Sequence, residues 1–489
     1  MFNYIKNIIA SRSYVYRIIP RDLGIILFVS LLSSLMISCE KYVDFKTQGQ
    51  VVPGTIENYR YLLNNTSALE VAPTISDMAS DDLEIVDGSP QQLSLVDNDY
   101  YGYFARAYQW ADQIFPLENQ YYKDDNWTSL YNTVVYANTV ITEVPNISDG
   151  TPAEREELIA EAKIHRASSY LMLVNTYAKP FAQQTAATDL GVPLVLTLTT
   201  EQTLKRETVE NVYKAIINDI NTALPNLPES QNYNTLPSKS GAYALLARTY
   251  LYMNRFEEAA NAADQALSLR NELVDLTALD TLIAGSYPLK INNPEILLSK
   301  VPVNGVLGRS APTALRLSSS LLALFDTNDQ RYNLFTVPGS IVSPWEVYDG
   351  RYFYLDAVTD QGRNVGPSVP EMILIKAENE ARKGNVAEAM NLVNQLRAKR
   401  ILSTGTVELT ATSAQDALLK VISERRREFM FRMLRWWDMR RLKNEPNFNQ
   451  TYTRQFGGKT IMLAPNSDRY VFPISKYELN MSPGLEPNP

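Results

Sequence analysis

Two stretches of the chain interleave aromatic rings with polar groups. DNDYYGYFARAYQW, residues 97–110, carries Tyr100, Tyr101, Tyr103 and Trp110; SPWEVYDGRYFY, residues 343–354, carries Trp345, Tyr348, Tyr352 and Tyr354. Rings spaced among Asp, Asn and Arg suit a shallow surface that stacks on a flat ligand while bonding its polar rim. Tyrosine is abundant at 29 copies, whereas His165 is the only histidine and Cys39 the only cysteine. One histidine cannot build a multi-histidine metal site, and no G-x-S-x-G elbow surrounds a serine nucleophile. His165, between Ile164 and Arg166, reads as an ordinary helix residue.

Two further fragments fail as cofactor motifs. Gly457-Gly458-Lys459-Thr460 ends like a phosphate loop, but Thr453 stands where its first glycine belongs. Residues 97–102 begin like a calcium loop, but Tyr101 replaces the third ligand and Tyr108 the bidentate glutamate. We therefore expect no cofactor and no metal. A carboxylate pair for glycoside hydrolysis stays open, because acidic residues are numerous.

The 489 residues are 45% apolar and 20% charged with a formal net charge of −8. That is enough apolar content for a large core, and no basic block suggests nucleic acid. Lys6, Arg12, Arg17 and Arg21 precede an apolar run over 23–37 that is too short to span a bilayer comfortably and fits a signal-peptide core. Leu35-Met36-Ile37-Ser38 before Cys39 resembles a bacterial lipobox. The resemblance implies removal of 1–38 and acylation of Cys39, which with two or more chains anchors the protein stably. A free cysteine ending a simple anchor helix is the alternative.

Helical patterning begins after a polar tether over 39–55. A helix is expected over 128–144; another is capped by Thr151, opens on Pro152 with Glu154, Glu156 and Glu157 in its first turn, and runs to about Ala178. Residues 241–267 place Tyr243, Leu246, Ala247, Tyr250, Phe256, Ala259, Ala263 and Ala266 as tetratricopeptide helix pairs do, with Asn254 at the turn. Residues 372–398 repeat the scheme, with Gly384-Asn385 turning and Ala377 and Ala389 as small contacts. The fold class is mainly α: a TPR-like helix-pair scaffold with long irregular insertions forming the ligand-binding face. Residues 286–366 lack a lasting period outside 318–326 and form the candidate binding surface. They divide the helical regions 56–285 and 367–489.

Residues 423–442, SERRREFMFRMLRWWDMRRL, are expected to form one helix. Ile422, Phe429, Met430, Met433 and Trp437 would share a face, with Glu424, Glu428 and Asp438 pairing nearby arginines. The ERRREF and RWWDMRR patterns, the segment before them and the terminal FPISKYELNMSPGLEPNP resemble the SusD/RagB family of outer-membrane nutrient-binding lipoproteins. Ser80-Asp81-Asp82, Trp127 with Tyr131 and Ala137-Asn138, and Ala162, Arg166, Ala167 and Tyr170 follow that family's order. Ser475 departs from its usual Pro-Ile-Pro.

The resemblance implies a SusD-like fold and a non-enzymatic surface protein that captures an oligosaccharide and delivers it to a SusC-like TonB-dependent transporter, closing over it as a lid. The ligand-binding candidates are then Tyr100, Tyr101, Tyr103, Trp110, Trp345, Tyr348, Tyr352, Asp81 and Asp82, with Trp127 assigned to the scaffold. Oligopeptide capture in the same role, a surface glycoside hydrolase and a purely structural lipoprotein are the alternatives.

Overall fold

The computed structural model describes residues 54–96, 102–116, 122–198, 204–279, 286–303, 312–343 and 345–488. Cys39, the signal segment, nearly all of the tether, Tyr100 and Tyr101 lie outside the described residues. So does all of the calcium-loop fragment except Gly102.

The scaffold is helical. Its main helices are α1 (Asp125–Glu143), α2 (Pro152–Tyr177), α3 (Val209–Ala223), α4 (Lys239–Tyr252), α5 (Phe256–Leu269), α6 (Val369–Lys383), α7 (Val386–Arg397), α8 (Ala414–Glu428) and α9 (Leu434–Leu442). The start of α2 follows from its sequence. The Thr151 side chain accepts from the Glu154 N–H, the Glu154 carboxylate accepts from the Thr151 N–H, and Pro152 supplies a preset φ where no intrahelical donor is needed. From Ala160 to Tyr177 this helix is buried on almost every side, Lys163 apart, so it forms the centre of the body.

The helix pairs form as the spacing requires. α4 packs on α5, α6 on α7, and α5 against α6. Ala259, Ala263, Ala266, Ala377 and Ala389 are fully buried, and small side chains let these backbones approach closely. Asn254 turns the first pair with φ +58°; Gly384 turns the second with φ +85°, where a Cβ would be strained.

The arginine-rich segment departs from expectation, since 423–442 is not one helix. α8 ends at Glu428 and α9 begins at Leu434, with Phe431 at φ +52° and Met433 at φ +57° between them. Left-handed backbone in such bulky residues costs energy. Tertiary bonds hold it: the Met433 N–H donates to Asp77 Oδ1 at 2.6 Å, and Arg363 donates to the Phe431 carbonyl. Ile422, Phe429, Met430, Met433 and Trp437 are all buried, though they belong to two helices and a turn.

The carboxylates do hold the guanidinium groups, but the partners are mostly remote in sequence. Arg331, fully buried, meets Asp329, Glu424 and Glu428 at 2.7 to 2.9 Å. Arg400 meets Glu295 and Glu428, Arg441 meets Glu378 and Asp438, and Arg248 meets Glu371 at 2.6 Å. Burial raises the Glu424 carboxyl, but Arg331, Arg427 and Arg397 outweigh it and hold the group at about 2.

The described residues of 286–366 form helices four to six residues long, 3₁₀ turns and short strands. The period over 318–326 yields only the helix Ser319–Leu322. Strands β1 (Thr336–Pro338) and β2 (Arg351–Phe353) pair antiparallel and carry the Trp345 loop between them. β3 (Tyr452–Phe456) and β4 (Lys459–Leu463) form a hairpin whose two-residue turn is Gly457-Gly458, both at positive φ. The phosphate-loop fragment is thus a hairpin turn. Among the described residues, no helix is long and apolar enough to cross a membrane.

Candidate functional site

Four segments enclose an open cavity of about 860 Å³: Asp81 with residues 83–87, the serines 318–320 at the start of a short helix, Arg426 of α8, and residues 450–455, which include most of β3. That volume suits a small-molecule or oligomer site. A second space, beside Arg363 and Arg432, measures about 30 Å³, room for little more than a water.

The cavity wall is held by charge pairs. Asp81 accepts from Arg435 Nε at 2.6 Å and Nη2 at 2.8 Å, and Asp82 Oδ1 accepts from Arg426 Nε at 2.6 Å. Burial pushes both carboxyls up. At Asp81 the Arg435 and Arg426 guanidinium groups outweigh burial, so its carboxyl is lowered. Asp82 stays raised, because Arg426 offsets only part of the burial and the Asp81 charge adds to it. Glu84 accepts from the Ser319 N–H at 2.8 Å and pairs with Arg316 at 3.1 Å. Asp87 accepts from both turn N–H groups, Gly457 at 2.6 Å and Gly458 at 2.7 Å, which clasps the β3–β4 hairpin to the opposite wall.

The floor is aromatic and closed. Arg454 lies 4.0 Å from the Tyr108 ring centre and 4.1 Å from that of Trp110, and donates to the carbonyls of Met78, Ala79, Ser80 and Tyr108. Trp110 Nε1 donates to the Ala79 carbonyl at 2.9 Å and only 2% of the residue is exposed.

Arg316 joins this cavity to the second aromatic stretch, since its Nε donates to the Asp349 carbonyl in the β1–β2 loop. In that loop Trp345 is 91% exposed and Val347 82%, beside a groove of about 480 Å³. Tyr348 and Tyr352 lie beneath, edge to face at 5.8 Å, and Tyr348 Oη donates to Glu346 at 3.0 Å.

Several expected platforms are therefore placed differently. Tyr103 is buried against Phe104 and Phe115, Trp110 is sealed under Arg454, and Tyr352 is in the core, so none offers a ring face to a ligand. Tyr348 is buried with 9% of its surface left, and Asp81 and Asp82 are engaged by arginines. Among the described candidates, Trp345 is the one whose ring stands free. Trp127 packs against Tyr177 in the scaffold, and buried His165 faces Lys300. Sequence reasoning missed the serine trio, Arg426, Arg454 and β3. The alternation in Tyr452-Thr453-Arg454-Gln455-Phe456 was a usable signal for β3; the other contacts depend on pairings across hundreds of residues. Among the described residues, no cluster of His, Cys, Asp and Glu could hold a metal ion.

Comparison with known proteins adds the family. The profile described as SusD-like, starch-binding associating with outer membrane, matches residues 60–251, and the SusD family profile matches 370–489, together more than half of the chain. The chain belongs to the SusD family. SusD-like protein P2 of Formosa agariphila is 24% identical over 432 residues, covering 75% of this chain and 81% of that one. A SusD superfamily structure from Bacteroides thetaiotaomicron superposes with a TM-score of 0.67 at 18% identity, covering 89% of this chain and all of that one. The surface glycan-binding protein A of Bacteroides uniformis gives 0.65 at 17%, with 89% and 99% covered. These likenesses establish the SusD fold, a TPR-like helical scaffold.

The SusD signature residues act here as ties. Arg166 bonds Asp219 through two nitrogens at 2.7 and 2.8 Å and Asn138 at 2.7 Å, joining α2 to α3 and α1. Tyr170 Oη donates to the Val195 carbonyl. At the C-terminus Asn488 donates to the Tyr177 and Phe472 carbonyls, and Glu478 accepts from the Asp124 N–H that precedes α1.

Proposed function

We propose that this SusD-family protein is a non-catalytic lipoprotein of the outer cell surface, anchored through Cys39, that captures an oligosaccharide. It would deliver the glycan to a SusC-like TonB-dependent transporter and act as its lid. The observation that carries the reading is Trp345, an indole exposed on a loop that Arg316 ties to a large polar cavity. A sugar presents weakly apolar ring faces for the indole and hydroxyls for the cavity wall.

Two further points support it. The carboxylates lining the cavity, Asp81, Glu84 and Asp87, are each held by protein donors, an arrangement unsuited to the acid and nucleophile pair of a glycosidase. The Bacteroides uniformis structural neighbour is named as a surface glycan-binding protein.

The test is retention of the full chain, purified in detergent, on native gels containing a panel of polysaccharides. Selective retardation without new reducing ends is expected; release of reducing ends at enzyme-like rates would refute the non-catalytic role. Isolation from outer membranes together with a large barrel protein tests the partner, and repeated isolation without one would count against it.

A further inference from the structure

We infer that the cavity selects neutral glycans and rejects uronate-bearing or sulfated ones; this rests on the glycan-binding reading above. The argument begins with what each charged group on the wall already touches. Asp81 is engaged by Arg435 and Arg426, one oxygen of Glu84 by Arg316 and Ser319, and Asp87 by two backbone N–H groups and Gln92. Arg426 is committed to Asp82, the Asp81 carbonyl and Ser320. The terminal nitrogens of Arg454 reach four backbone carbonyls, and its faces are covered by Tyr108 and Trp110.

Of the charged residues that line the cavity, Arg426 and Arg454 stand against Asp81, Glu84 and Asp87. The wall therefore has no guanidinium free for a two-nitrogen hold on a carboxylate or sulfate ester, and no net positive field to attract one. A ligand anion entering it would lose hydration without such a hold to replace it.

Beside one nitrogen of Arg426 and one oxygen of Glu84, the groups that the wall leaves open are uncharged. Thr451 and Thr453 are exposed on and beside β3, and their hydroxyls make no hydrogen bond among the described residues. Gln450 is exposed beside them. Hydroxyls and amides exchange water for sugar hydroxyls at little net cost, which suits a neutral polyol surface.

The experiment sets neutral polysaccharides against polyuronates and sulfated polysaccharides in affinity gels with the full chain, then measures the retained oligosaccharide by calorimetry at low and high salt. Neutral glycans should bind at least about tenfold tighter, with less than about a twofold change between roughly 50 and 300 mM salt. Preference for an anionic glycan, or a tenfold fall with salt, overturns the inference while leaving glycan capture intact. Retention by no glycan, with oligopeptides bound instead, overturns the functional reading as well. Thr453→Trp, an exposed change that fills the wall, should abolish neutral-glycan binding with an unchanged melting temperature. Unaltered binding in that variant would show that the cavity is not the site.

Discussion

Replacing Trp345 with alanine should separate ligand binding from folding. The residue is 91% exposed, so its removal strips little from the core and should alter unfolding free energy by no more than about 0.5 kcal/mol. Binding should respond strongly. A tryptophan can bury about 150–250 Å² in full, and a sugar laid on one face covers roughly 80 Å² of it. At about 25 cal/mol per Å² this amounts to roughly 2 kcal/mol, or about a 30-fold rise in Kd. Calorimetry with the retained oligosaccharide gives the Kd, and thermal melting by circular dichroism gives the control. Trp345→Phe keeps a ring and should recover most of the affinity. A Kd within about twofold of the parent for Trp345→Ala would refute the stacking role, because an unengaged indole is the one group whose loss would then go unnoticed.

Trp110→Ala should show the opposite pattern, losing about 3–5 kcal/mol of stability in urea unfolding, since the ring is buried and its Nε1 serves the Ala79 carbonyl. Arg248→Met should cost about 3–5 kcal/mol, because it strands a fully buried Glu371; the double change Arg248→Met with Glu371→Leu should regain most of that, and a double no better than the single would refute the account. Lys300 gives a pH signature. Burial, beside His165 and the Leu69 carbonyl, outweighs the opposing pull of the Glu70 charge and lowers the Lys300 ammonium to about 7; Arg60 also lies near His165. Between that value and its ordinary range the unfolded chain binds the extra proton, so stability should rise with pH there, by up to about 1.4 kcal/mol per unit. Lys300→Met should flatten the rise between about pH 7.5 and 9.5; parallel curves for the two proteins would show that Lys300 is not the buried group responsible.

The long helices and paired repeats were legible because their signals are local. Thr151, Pro152 and Glu154 specify a helix start within four residues, and Asn254 and Gly384 mark turns that only a few residue types make cheaply. The break between α8 and α9 has no such mark. Phe431 and Met433 are poor left-handed residues, and the turn exists because Asp77 and Arg363, far off in sequence, bond its backbone. The aromatic run 97–110 misled for a related reason: polar neighbours suggested a surface, yet Tyr103 and Trp110 pack inward and Arg106 bonds the Ile114 carbonyl. Polar interleaving reports exposure only when the polar groups face water.

Those distant pairings also separate the fixed part of the frame from the part that can vary. Arg435 with Asp81 and Arg426 with Asp82 tie the scaffold at the cavity, Arg166 with Asp219 ties α2 to α3, and all lie within the segments that match the SusD profiles. Trp345 lies between those segments, on a loop closed by its own strands and by Tyr348 against Tyr352. Arg316, the link to Glu84, also lies between them. A loop braced this locally can change length and chemistry without disturbing the buried ion pairs, whereas a change at Asp81 would strand Arg435 at once. On the proposed reading Trp345 is a ligand contact whose replacement the fold tolerates, whereas the buried pairs of Arg435 with Asp81 and Arg426 with Asp82 are ones it cannot lose.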